Sequence, residues 1–155
     1  MDSNNSSSSN NTTKIVGGIV AVLLCCACVV IAATVPSKSY KLGDQETFWV
    51  TNVDTVENFQ AKATLRYVGD HIYFWIENGV SYDEGDLKRL AETFENQMYP
   101  TNREFFGSEP NPGIDEDPRI FILYVRGTGA SNAGYFSTPD EYNPLVKEFS
   151  NGHEM

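Results

Sequence analysis

The sequence predicts an α+β protein in which an N-terminal transmembrane helix precedes a small domain built from strands and one main helix. Three observations support this prediction: an uncharged apolar run over 15–35, several strand-length apolar segments, and one apolar stripe with helical spacing. We therefore expect a disordered polar tail over 1–14, a transmembrane signal anchor over 15–35, a linker over 36–43 and a folded domain over 44–155.

The apolar run over 15–35 is long enough for a membrane-spanning helix, since about 20 residues cross a hydrocarbon core of about 30 Å. A cleaved signal peptide is the alternative, although its apolar region usually covers only about 7–15 residues. The bulky Ile31 makes Ile31-Ala32-Ala33 a poor cleavage site. The orientation stays open, because Lys14 with the α-amine on one side balances Lys38 and Lys41 on the other.

The charge of the chain narrows its possible partners. The formal net charge is −10, and it falls on the domain because Lys14 and Asp2 cancel in the segment before it. Such a domain repels nucleic-acid phosphate and anionic lipid, so we expect no nucleic-acid binding and membrane contact through 15–35 only. Cys25, Cys26 and Cys28 all lie in the apolar run, which leaves the domain without a disulfide and favours a role as small apolar residues.

The first half of the domain predicts three strands. The segment 47–53 is rich in β-formers, and 61–68 and 71–77 predict a hairpin joined by a turn at Gly69-Asp70. Both faces of 71–77 carry large apolar side chains, which predicts a central strand.

The second half predicts a helix, a buried strand and a short edge strand. Ser81 and Glu84 have capping-box spacing, and Pro100 is expected to end the helix. The segment 119–125 is continuously apolar, as in a strand covered on both faces, and 134–137 predicts the edge strand. The helical stripe consists of Leu87, Leu90, Ala91, Phe94 and Met98.

The histidine inventory argues against a metal-dependent active site within these residues. His71 and His153 are the only histidines, and the domain has no cysteine, whereas a catalytic zinc usually takes three protein ligands. His153-Glu154 resembles the start of H-E-x-x-H, but the second histidine is absent, so we interpret the pair as coincidence. We expect no catalytic and no cofactor-binding residue here.

The loop 108–118 is the one candidate for a metal site. Asp115 and Asp117 concentrate oxygen ligands of the kind that Ca²⁺ prefers, which makes them candidate calcium ligands. The order of the residues does not match an EF-hand, and a solvated loop that leads into the next strand explains them as well.

The order of several short motifs resembles one enzyme family. They are Tyr82-Asp83, Tyr99-Pro100, Glu104-Phe105-Phe106-Gly107-Ser108-Glu109, Pro112-Gly113-Ile114-Asp115, Asp117-Pro118-Arg119-Ile120, Gly134-Tyr135-Phe136-Ser137 and Asp140-Glu141-Tyr142. In this order they resemble the N-terminal part of bacterial zinc metallopeptidases related to immune inhibitor A and hyicolysin, over about 44–155.

This resemblance implies a partial zincin-like domain with a twisted mixed sheet, a backing helix and 119–125 as an inner strand. In that family an H-E-x-x-H helix follows, which binds zinc and hydrolyses peptide bonds. The resemblance also implies a peptide or protein substrate that adds to the edge near Gly134, Tyr135 and Phe136. The soluble domain of a single-pass membrane protein would then lie on the extracellular side.

The chain departs from the family where the catalytic helix would begin, because no position carries the zinc-binding motif. We therefore expect a truncated, inactive N-terminal part of such a peptidase, with 150–155 leading into the next strand. The alternative hypothesis is a non-catalytic, membrane-tethered acidic surface module that binds a protein or peptide partner.

Overall fold

The computed structural model describes residues 39–155, which form one mixed sheet packed with two consecutive helices. The four strands are β1 Gln45–Asn52, β2 Glu57–Val68, β3 Ile72–Glu77 and β4 Ile120–Tyr124. The α-helices are α1 Glu84–Thr93 and α2 Tyr99–Phe106; a π-helical turn, Phe94–Met98, joins them, and a 3-10 turn follows at Thr138–Glu141.

The sheet has the order β1-β2-β3-β4 and is mixed, as the resemblance implied. The β1/β2 and β2/β3 pairs are antiparallel, whereas β3 and β4 are parallel. The predicted central position of β3 is confirmed, and every residue of 72–76 is buried. Within residues 39–155, β4 is an edge strand and not the inner strand that the resemblance implied.

The two faces of β3 contact different apolar clusters because successive side chains of a strand point in opposite directions. Tyr73 and Trp75 belong to the first cluster, whose buried members are Tyr40, Phe48, Ala63, Leu65, Tyr73, Trp75 and Phe121. The other face packs under α1, and its buried members are Ile72, Phe74, Ile76 and Leu87. Tyr40 is therefore a core residue, although the sequence placed it in a linker.

The helical region begins and continues differently from the prediction. Asp83, and not Ser81, is the N-cap residue of α1, and its carboxylate accepts a hydrogen bond from the N–H of Asp86 at 2.8 Å. Pro100 lies in the first turn of α2, where a missing N–H is tolerated, so it does not end the helical path. The π-helical turn shifts the helical register, which leaves Met98 exposed.

The predicted fold class with a transmembrane helix, and the single-pass membrane location derived from it, are wrong on the evidence of the structure. No helix within residues 39–155 is long and apolar enough to cross a bilayer. A spanning helix needs about 20 mostly apolar residues, whereas α1 has 10 and buries only one side. The predicted tail, the apolar run over 15–35 and the three cysteines lie outside the described residues.

The segment 134–137 is irregular and does not form the edge strand that the sequence predicted. The side chain of Tyr135 explains part of this difference, because its Oη accepts a hydrogen bond from the N–H of Thr51 at 2.9 Å. A side-chain contact of this kind holds the segment beside β1 without any backbone ladder.

Candidate functional site

The segment 138–155 closes the outer edge of β1 through the side chain of Asn151. Its Oδ1 accepts from the N–H of Trp49 at 2.7 Å, and its Nδ2 donates to the carbonyl of Trp49 at 3.0 Å. The buried Asp140 orients this amide by accepting from Nδ2 and from the N–H of Asn151, both at 2.9 Å. The Asn151 side chain therefore replaces a neighbouring strand at this position.

His153 is buried at the point where three parts of the chain meet. Its ring stacks on Phe121 of β4 with centroids 4.0 Å apart. Nδ1 contacts Oδ2 of Asp115 in the loop before β4 at 2.7 Å, and Nε2 contacts Oε1 of Glu46 on β1 at 3.4 Å. One imidazole therefore joins both sheet edges to the loop 108–118.

The two carboxylates decide the charge of this buried imidazole. Burial by itself lowers the pKa of His153, but the hydrogen bonds and charges of Asp115 and Glu46 outweigh it, and the net pKa is raised. The ring of Tyr40 packs edge-on against the imidazole, and burial together with a hydrogen bond to Glu46 raises the pKa of its phenol. The cluster therefore favours a protonated His153 between two carboxylates.

We predict that this ion-pair cluster makes stability depend on pH. Because the pKa of His153 is higher in the folded than in the unfolded chain, the stabilisation is fully present below about pH 6.5 and is lost as pH rises through the folded-state pKa. Urea unfolding of the wild type and His153→Gln at pH 6 and pH 8.5 measures this effect. The stability gap between them should shrink at pH 8.5, and a constant gap would contradict the prediction.

Asp117 forms a second buried network, centred on Arg119. The carboxylate accepts from the Oη of Tyr73 at 2.8 Å and from the guanidinium of Arg119 at 3.1 Å. The Nε of Arg119 also donates to the carbonyl of Gly69 at 2.9 Å, in the turn between β2 and β3. These contacts fix the loop 108–118 against the first apolar cluster.

Asp115 and Asp117, the two candidate calcium ligands, therefore contact different protein side chains and do not face a common point. Asp115 contacts His153, and Asp117 contacts Arg119 and Tyr73. Among residues 39–155, no group of three or more His, Cys, Asp or Glu side chains is arranged to hold a metal ion. Calcium binding at Asp115 and Asp117 stays a prediction.

An open cavity of about 350 Å³ lies along β4. Residues 121–125 form one wall, and the irregular segment with Gly134 and Tyr135 forms another. Phe136 is 61% exposed and does not line the cavity. Two of the three substrate-edge candidates therefore face the same concave surface, and their role in binding a peptide stays a prediction.

His71 lies apart from this cavity, just before β3. Its Nδ1 contacts Oε2 of Glu95 at 2.7 Å, and its ring stacks on Tyr99 with centroids 4.1 Å apart. These contacts join the β2/β3 turn to the helical region. The structure thus keeps the two histidines at separate sites, each next to a carboxylate.

Sequence reasoning missed the residues that organise the carboxy-terminal segment. His153 and Glu154 were interpreted as a coincidental pair, yet His153 is buried and the Oε1 of Glu154 accepts from the N–H of Ile114 at 2.7 Å. Asn151 was not singled out, and Asp140 was named only within the motif Asp140-Glu141-Tyr142, without a role at β1. The contact of Asn151 with Trp49 spans 102 residues of sequence and that of His153 with Glu46 spans 107, so no local pattern identified these residues.

Comparison with known proteins yields one clear similarity. The chain is 32% identical over 109 residues to the neutral metalloprotease ShpI of Staphylococcus hyicus, a match that covers 66% of this chain. The chain spans 24% of the length of that relative. No protein-family model matches the sequence. The chain therefore contains a metallopeptidase-related region.

Proposed function

We propose that residues 39–155 are the amino-terminal part of the catalytic domain of a zinc metallopeptidase of the immune inhibitor A and hyicolysin type. In this proposal the zinc ligands come from a segment outside the 155 residues, and the substrate is a peptide or protein. The observation that carries the proposal is the 32% identity to a neutral metalloprotease. We expect the 155-residue chain by itself to hydrolyse no peptides, since its sequence has no H-E-x-x-H.

The described fold supports this assignment. A mixed sheet with a buried central strand is the kind of scaffold that holds a catalytic helix rigidly. The cavity along β4 brings Gly134 and Tyr135 next to strand backbone, where an extended peptide could be bound through its main chain. Zinc bound in such a domain would activate a water molecule for attack on the peptide carbonyl.

The test compares two purified proteins: the 155-residue chain, and the same chain joined to the polypeptide that its gene encodes after Met155. We expect the longer protein to hold one zinc ion by mass spectrometry of metals and to hydrolyse casein, with loss of activity on treatment with a chelator. The 155-residue chain should retain no stoichiometric zinc and cleave nothing. A gene that encodes no zinc-binding helix, or a longer protein without zinc, would refute the proposal.

A further inference from the structure

The sequence contains two Asn-Gly pairs, Asn78-Gly79 directly after β3 and Asn151-Gly152 near the carboxy-terminal end. An asparagine before glycine is prone to spontaneous deamidation, because glycine has no side chain to hinder the reaction of its backbone nitrogen. That nitrogen attacks Cγ of the asparagine, its proton passes through solvent to Nδ2, and ammonia leaves as a cyclic imide forms. Water then opens the imide at either carbonyl and gives aspartate or isoaspartate.

The fold restrains every group that would react in the second pair. The Nδ2 of Asn151 donates to the carbonyl of Trp49 at 3.0 Å and to Oδ1 of Asp140 at 2.9 Å. Its Oδ1 accepts from the N–H of Trp49 at 2.7 Å. Gly152 is buried, and its N–H donates to the Oγ of Ser150 at 3.0 Å. Attack on Cγ of Asn151 therefore requires that these hydrogen bonds open first.

The first pair lies in an exposed turn, where the reacting groups are accessible. Among residues 39–155, none accepts a hydrogen bond from the Nδ2 of Asn78 or from the N–H of Gly79. A Cβ added at Gly79 would meet no atom within 4 Å, so the backbone has room to approach the side chain. The Oδ1 of Asn78 accepts from the Oγ1 of Thr64 at 2.6 Å, and a donor at this oxygen stabilises the negative charge that develops during attack on Cγ.

We propose that Asn78 is a site of spontaneous deamidation in the folded protein, whereas the contacts of Asn151 with Trp49 and Asp140 protect the second pair. The reaction at Asn78 adds a negative charge next to Glu77, and water solvates this charge because the turn is exposed. The same reaction at Asn151 would place a new carboxylate against the buried Asp140 and remove the donor to β1. Protection of Asn151 therefore preserves the closure of the β1 edge.

The experiment incubates the 155-residue chain at mildly alkaline pH, folded and in unfolding concentrations of urea. Each sample is digested at acidic pH, and mass spectrometry measures aspartate and isoaspartate at positions 78 and 151. We expect deamidation in the folded chain to be at least about tenfold faster at Asn78 than at Asn151, because only the second reaction waits for local opening. In urea the two rates should become similar. Asp140→Ala, shown to be folded by circular dichroism, should accelerate the reaction at Asn151 and leave that at Asn78 unchanged.

Three outcomes would overturn the inference. Similar rates at both positions in the folded chain would show that the contacts of Asn151 give no protection. A rate at Asn78 that is much lower in the folded chain than in urea would show that the turn holds this side chain away from Gly79. Equal acceleration at both positions in Asp140→Ala would mean general loosening of the fold. The comparison of folded and unfolded wild type decides the first two questions even if the variant does not fold.

Discussion

Replacement of His153 by alanine is expected to lower the free energy of unfolding by about 3–5 kcal/mol at pH 6. The side chains of His153 and Asp115 are only 8% and 10% exposed, so the substitution leaves a largely buried carboxylate without its partner. It also removes the ring that stacks on Phe121 and opens a cavity in the first apolar cluster. Urea unfolding followed by circular dichroism measures the loss.

His71→Ala is the matched control for this substitution. His71 makes a carboxylate contact of the same 2.7 Å length to Glu95, but its side chain is 41% exposed. A contact open to water contributes about 1 kcal/mol or less to the free energy of unfolding. His71→Ala should therefore lower that free energy much less than His153→Ala does. Equal costs for the two substitutions would show that burial at His153 does not govern its contribution.

Asp117→Asn should lower the free energy of unfolding by about 3 kcal/mol. The side chain of Asp117 is 2% exposed, and its charge balances the guanidinium of Arg119, which is itself largely covered. The amide keeps the size of the side chain but removes this charge and one acceptor, so the Oη of Tyr73 and Arg119 compete for the remaining oxygen. The loss is measured by urea unfolding at pH 7.

Glu77→Gln provides the comparison for Asp117→Asn. Glu77 contacts Arg126 at 3.0 Å, close to the 3.1 Å between Asp117 and Arg119, but the Arg126 side chain is 64% exposed. Water screens this second pair, so its loss should cost about 1 kcal/mol or less. If Glu77→Gln lowers the free energy of unfolding as much as Asp117→Asn does, the contact distance and not burial determines how much these ion pairs stabilise the fold.

Local sequence patterns predicted the four strands β1 to β4 and the main helix because both depend on side-chain periodicity, whereas the fifth predicted strand, over 134–137, is irregular. Strand β3 was expected to be central from the apolar groups on both of its faces, and all of 72–76 is buried. The ends of the helices and strands were predicted less accurately: Asp83, and not Ser81, is the N-cap residue of α1. The membrane assignment came from one segment's length and apolarity, and no helix within residues 39–155 has those properties.

The candidate site could not be predicted in the same way, since its contacts join distant parts of the chain. A histidine next to a glutamate near the end of the printed sequence carries no local sign of burial. Only the folded chain brings Asp115 and Glu46 to His153, and Asp140 to Asn151 beside β1. The substrate-edge candidates were chosen from a resemblance, and two of them line the cavity along β4.

The sequence by itself therefore determined the α+β character of residues 39–155, the central strand and the absence of an H-E-x-x-H motif. These properties follow from composition and from periods of two or 3.6 residues, which a chain displays before it folds. The tertiary structure alone decided which carboxylates surround His153, how the edge of β1 is closed and where β4 remains open. Those features depend on sheet order and on contacts across about 100 residues, which local periodicity does not encode.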